Sequence, residues 1–111
     1  MPYPTVHDDG ATVTLDLHGA TVDDAIRLAR QAVREAARRG RRAVKLVHGT
    51  STSERRLPGR TIKQALYDAL DGRDFGNAVT GALRYDATLT LSLDLSASSD
   101  PRPIRLRDLL P

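Results

Sequence analysis

Two strand-to-helix units followed by a hairpin predict a two-layer α/β sandwich, ordered β-α-β-α-β-β over one mixed four-stranded sheet. Two patterns predict it. The strand-like segments alternate apolar and polar residues instead of running continuously apolar, so each should bury one sheet face and expose the other. Two longer segments repeat apolar residues at helical spacing, and both helices should therefore pack on the single apolar face.

Taken in order, residues 1–10 read as a flexible, proline-containing lead and residues 11–95 as the folded domain. From Ala11 to His18, Val13, Leu15 and Leu17 fall on one face, with Thr12, Thr14, Asp16 and His18 on the other. After Gly19, Thr21 is placed to cap a helix whose first turn carries Asp23 and Asp24. Val22, Ala25, Ile26, Ala29, Val33 and Ala36 form its stripe, Arg27, Arg30, Arg34 and Arg38 its opposite side, and Gly40 its stop. A second strand spans Ala43–His48. Residues 49–60, "GTSTSERRLPGR", read as a polar basic loop, and a second helix covers about Thr61 to Leu70 until Gly72. Strands at Ala78–Arg84 and Thr88–Leu95, joined by Tyr85–Asp86–Ala87, close the sheet as a hairpin. The open face should then be lined by Thr12, Thr14, Asp16, Thr80, Arg84, Thr90 and Ser92. Residues 96–111 form a C-terminal tail: a linker with a short apolar segment able to dock.

Composition narrows the chemistry. At 111 residues the chain supports one core, and with aromatics at 4% that core must be aliphatic. The absence of cysteine removes disulfides, thiol nucleophiles and cysteine metal sites. No apolar run approaches the ~20 residues of a membrane span, and "MPYPTVHDDG" has no signal-peptide core, so a soluble cytoplasmic protein without membrane contact is expected. No glycine-lysine phosphate loop is present, so no nucleotide cofactor is expected. Charge is segregated. Between Arg27 and Lys63 stand twelve Lys/Arg and two acids, a local +10, while the remaining residues sum to −7. Such segregation suggests an anionic partner, nucleic acid being the common one, with solvated helix faces as the plain alternative.

The two strand ends are near copies, "LDLHG" at 15–19 and "KLVHG" at 45–49. Together with "LDLHGATVDDAI", "VKLVHGTS" and "TIKQALYDAL", they make the chain resemble the small MutS-related (Smr) domain over roughly residues 12–95. The first motif is matched as Leu15-Asp16-Leu17-His18-Gly19. The second, which the family writes His-Gly-x-Gly, reads His48-Gly49-Thr50-Ser51, and Ser53-Glu54 stands where many members carry His-Ser. The resemblance implies a fold like the C-terminal domain of bacterial translation initiation factor 3. It also implies nucleic-acid binding and, in several members, nicking of DNA or RNA.

The residues suit that chemistry. Asp16 and His18 share a strand face with Cα atoms about 6.5–7 Å apart, so both can reach one phosphate. Imidazole titrates where general acid–base work needs it, and Asp16 can orient water or hold a hard ion such as Mg2+ or Mn2+. The structural alternative is that both residues merely finish a strand. Gly19 and Gly49 sit at the carboxyl edge of parallel strands, the usual ligand edge of open α/β sheets. His48 shares parity with Val44 and Leu46, so bracing the loop and touching a ligand are equal expectations. With Thr50, Ser51, Arg55, Arg56, Arg60 and Lys63, these residues form the expected nucleic-acid contact set. Few aromatics are available for base stacking, which favours recognition of the backbone. The expected function is therefore a nucleic-acid-binding, Smr-type endonuclease acting from Asp16 and His18. The alternatives are a non-cleaving nucleic-acid module, favoured by Ser51, and a protein-interaction domain using the Leu/Ile-rich tail.

Overall fold

A computed structural model describes residues 4–49, 61–95 and 98–110. The chain order is β1 (Thr5–Asp8), β2 (Thr12–Asp16), α1 (Val22–Arg38), β3 (Ala43–Val47), α2 (Ile62–Asp71), β4 (Val79–Arg84) and β5 (Thr88–Leu93), then a 3-10 turn at Leu106–Asp108. The sheet has five strands in the order β1-β2-β3-β5-β4. β2 and β3 are parallel, and the other neighbours are antiparallel.

The alternation does what its period dictates. Val13 lies beside Val44, and Val44 beside Leu91; Leu15 lies beside Leu46, and Leu46 beside Leu89. This apolar field joins the buried residues of α1 and α2 in one cluster, so both helices cover the same sheet face. Each helix has an identifiable start and stop. Thr21 Oγ1 accepts the Asp24 N–H at 3.1 Å to open α1. Thr61 and Gln64 exchange bonds of 3.1 and 3.2 Å to open α2, a full capping box. α1 ends in a Schellman motif, with Arg41 N bonded to Ala36 O and Gly40 at φ 73°. Gly72 stops α2 at the C-cap as expected, and the left-handed position falls on the next residue, Arg73 (φ 62°).

Three expectations need correction. First, the sheet has five strands instead of four, because the N-terminal segment that reads as a loose lead contains β1. Val6 packs against the core beside Leu15, and Asp8 points the same way beside Val13. An acid on the apolar face hides the alternation that would announce a strand. Second, the tail's apolar segment docks as expected, but Ile104 and Leu109 enter the main core itself, so the folded unit extends past residue 95. Two such side chains contribute about 3–6 kcal/mol, a large share of the ~5–15 kcal/mol that holds a domain together. Third, Arg84 is not on the open face. A register irregularity between Val79 and Gly81 reverses the later parity, so Arg84 aligns with Leu89 on the helix side and Leu83 faces outward with Thr90.

One buried ion pair explains why both ends hold. Arg41 is fully buried, as is the Asp8 carboxylate it meets. Its guanidinium donates to Asp8 at 2.8–3.0 Å and to the carbonyls of Arg39 (2.8 Å), Asp100 (2.6 Å) and Arg102 (2.9 Å). Asp8 also accepts the N–H groups of Ile104 at 2.7 Å and Gly10 at 2.9 Å. Burial pushes the Asp8 carboxyl up, but the bonds from Arg41, Ile104 and Gly10, with the charge of Arg41, outweigh it and hold the group below 3.8. A depressed folded value stabilises above the unfolded value near 3.8 and is lost as pH falls through the folded one. Asp8→Asn should therefore lower the melting temperature at pH 7 and weaken the loss of stability below pH 4. Asp9 and Asp100, also depressed, supply the part that persists. Melting curves from pH 2 to 7 check this; an unchanged acid limb would remove Asp8 from the account.

Candidate nucleic-acid interface

The carboxyl edge of the parallel pair β2–β3 gathers the two "HG" turns. Leu17 N bonds to Val47 O at 2.8 Å, carrying the pairing one step past β2. Asp16 then accepts the His18 N–H on Oδ1 at 2.9 Å, a local turn closed by its own side chain. Gly19 follows at φ 90° and Ala20 N returns to Leu17 O at 3.0 Å, leaving His18 exposed at the tip. On the neighbouring strand, Gly49 adopts φ 79°. A Cβ built on Gly49 would stand 3.4 Å from His18 Cδ2, so the His18 imidazole lies over the bare side of this glycine. The two motifs therefore meet. Any other residue at 49 would carry backbone strain at this positive φ, with its Cβ in ordinary van der Waals contact with His18.

His48 turns inward. It is 1% exposed, its ring stands edge-on to Tyr67 with centroids 6.4 Å apart, and Nδ1 lies 2.7 Å from Gly49 O. A carbonyl only accepts, so Nδ1 carries the proton in this bond. Nε2 is buried and has no hydrogen-bond partner among the described residues. His48 thus braces the Gly49 turn. The N–H groups of His48 and Gly49 both bond to Ala87 O, at 3.0 and 3.1 Å, which fastens the β4–β5 hairpin to this edge.

The other expected contacts divide. Lys63, in the first turn of α2, lies 4.0 Å from Asp86 and 5.9 Å from the Tyr67 ring centre. Arg84 stacks on that ring at 5.2 Å and bonds to Asp71 at 3.3 Å. Thr50, Ser51, Arg55, Arg56 and Arg60 fall outside the described residues. Sequence reasoning missed Tyr67, Arg84, Asp86 and Ala87, whose roles arise from packing of α2 against the hairpin. The +10 stretch is also not one surface: Arg41 is buried with Asp8, and Arg39 pairs with Glu35 and Asp108. Asp23 and Asp24 occupy the first turn of α1, where they compete with an anion, whereas the first turn of α2 carries no acid.

Among the described residues no three His, Cys, Asp or Glu side chains converge as a metal cage. Among the described residues, Asp16 is therefore not part of a three-ligand cage for the Mg2+ or Mn2+ expected there. No helix among the described residues is long and apolar enough to cross a membrane.

The Smr domain family model matches residues 15–86, a span holding both "HG" turns and both helices. The chain belongs to the Smr family. Its fold is similar to the crystal structure of the Smr domain of Thermus thermophilus MutS2, with a TM-score of 0.59 and 24% identity over 73% of this chain and 96% of that one. No curated protein matches the chain. Smr domains are in general nucleic-acid-binding domains of nicking-endonuclease type. β1, β5 and the docked tail lie outside the span matched by the family model, although all three supply residues to this domain's core.

Proposed function

We propose that this Smr domain binds nucleic acid across the "HG" edge and hydrolyses the phosphodiester backbone there as an endonuclease. The observation that carries this reading is the approach of the His18 imidazole to the place a Cβ on Gly49 would occupy, which brings both motifs to one point on the ligand edge of the sheet. His18 is the exposed imidazole at that point. As water oxygen attacks phosphorus and the bond to the departing oxygen breaks, His18 either takes the water's proton or delivers one to the departing oxygen. A pH–rate profile separates the two, since the first needs neutral His18 and the second needs it protonated. Asp16 Oδ1 holds the turn that presents His18, while its second oxygen is left to orient water. Gly49 lets the backbone of the strand come close. Arg55, Arg56 and Arg60 would hold the phosphates, with Lys63 beside them.

Incubating the protein with supercoiled plasmid and with labelled RNA, with Mg2+ or Mn2+ and with chelator, tests cleavage. A second reading has its own observation: Asp16 is engaged in a structural turn, as in a non-cleaving module. Binding without cleavage of either substrate would decide for it, and Ser51→Gly, which restores the family's second glycine, would then be tested for gained activity. The loop is checked separately. Replacing Arg55, Arg56 and Arg60 with Ala should weaken binding and flatten the salt dependence by about 0.9 log units per lost duplex contact. An unchanged slope would take the loop out of the interface.

A further inference from the structure

At the far end of α1 the returning tail builds a second basic site. A cavity of about 290 Å³ is lined by Arg39, Arg102, Pro103, Arg105, Arg107 and Asp108. Four arginines thus line it with one acid, and that acid's carboxylate is engaged: Asp108 Oδ2 accepts the Arg105 N–H at 3.0 Å and lies 3.6 Å from Arg39. Arg39 also reaches Glu35 at 3.5 Å and donates to the carbonyls of Arg102 and Pro103, so its position is fixed. Arg102 pairs with Asp100 at 2.9 Å. Arg105 and Arg107 are exposed, and neither has a carboxylate within ion-pair reach among the described residues.

The helix end does not account for these charges. Cations at a helix C-terminus offset the carbonyl end of the macrodipole, and Arg38 in the last turn and Arg39 at the C-cap serve that need. Here several of the last carbonyls are already bonded. Ala36 O and Ala37 O close the Schellman turn, and Arg39 O accepts from Asp100 N and from Arg41. Arg102, Arg105 and Arg107 arrive in addition, carried by a segment that Ile104 and Leu109 anchor in the core. Guanidinium forks match phosphate oxygens in pairs, and an anion relieves their mutual repulsion.

We infer that this cavity binds a phosphate group, and that on a nucleic acid it holds a backbone phosphate well away from the "HG" edge. The second half of this inference rests on the nucleic-acid reading above. The 17 residues of α1 separate the two points by about 25 Å. That is about seven base-pair steps of duplex at ~3.4 Å each. A duplex of sixteen pairs can engage both points, and one of five pairs cannot.

The test has two arms, both read on Arg105→Ala/Arg107→Ala and on Arg105→Lys/Arg107→Lys. In the first, inorganic phosphate is titrated against the melting temperature, with chloride at matched ionic strength as control. The parent should gain stability specifically from phosphate, and the alanine pair should lose that gain. In the second, salt-dependent affinity is measured for sixteen-pair and five-pair duplexes. The alanine pair should bind the longer duplex about tenfold more weakly, with a slope lower by about 0.9 log units per lost contact. Binding of the short duplex should stay unchanged, and the lysine pair should restore the slope. An equal phosphate response in parent and alanine pair would overturn the cavity as a phosphate site, whatever happens at the "HG" edge. A parent that responds to phosphate but binds neither duplex would overturn the nucleic-acid half and leave free phosphate as the ligand. Equal losses on both duplexes would overturn the two-point contact.

Discussion

Leu91→Asp is expected to leave no folded domain at 25 °C, whereas Thr90→Asp one residue away should change stability by less than about 1 kcal/mol. Leu91 is fully buried, with Val44 on one side and Ala82 on the other. A carboxylate there has no donor within the aliphatic field, and burying an unpaired charge costs several kcal/mol even after the group neutralises itself. That approaches the whole stability of a small domain. Thr90 points to the open face directly opposite Lys45, which is exposed. An acid at 90 gains a cross-strand partner worth about 0.2–1 kcal/mol, offsetting the poor strand propensity of Asp. Denaturant melts followed by circular dichroism check both variants. The reverse ranking would mean that the strand faces are assigned the wrong way round.

The second large effect is catalytic. His18→Ala should reduce cleavage by about 10²-fold or more, the usual scale for losing an acid–base group. The melting temperature should barely move, because His18 is exposed and its turn is held through its backbone N–H. Asp16→Asn is the sharper companion. The amide oxygen of Asn can still accept the His18 N–H, so the turn survives while the negative charge is lost. Cleavage should fall by a similar factor, and binding should hold or tighten as repulsion of phosphate is relieved. Cleavage, affinity and melting temperature must be measured on the same preparations. Full activity in a folded double variant would reduce Asp16 and His18 to strand punctuation. Parallel loss of stability and activity would do the same.

Sequence periodicity reads well wherever it reports local packing. The alternation of β2, β3 and β5, the two helical stripes, and the Thr21 cap depend on neighbours within a few residues, and they are visible in the chain. What is hidden depends on distant partners. β1 is masked because Asp8 faces inward, and only Arg41, thirty-three residues on, makes that tolerable. The parity of β4 reverses at an irregularity that no residue type announces. Ile104 and Leu109 carry no period at all, yet they complete the core. At the site, the positive φ of Gly19 and Gly49 matches their motif positions, and the inward turn of His48 follows its parity. The stack of Arg84 on Tyr67 could not be read, since it joins a helix and a strand through tertiary packing alone.

The bond from Ile104 N to Asp8 Oδ2 spans 96 residues and makes the fold a non-covalent ring. Closing a loop of that size costs about 4 kcal/mol of chain entropy on the logarithmic scale, and each halving of the loop recovers about 0.6 kcal/mol. The clasp therefore has the highest sequence separation of any side-chain bond described, and such contacts form late in folding because their entropy must be offset first. It follows that the two ends of the chain should loosen together, as one cooperative unit, before the β2–β3–β5 centre opens.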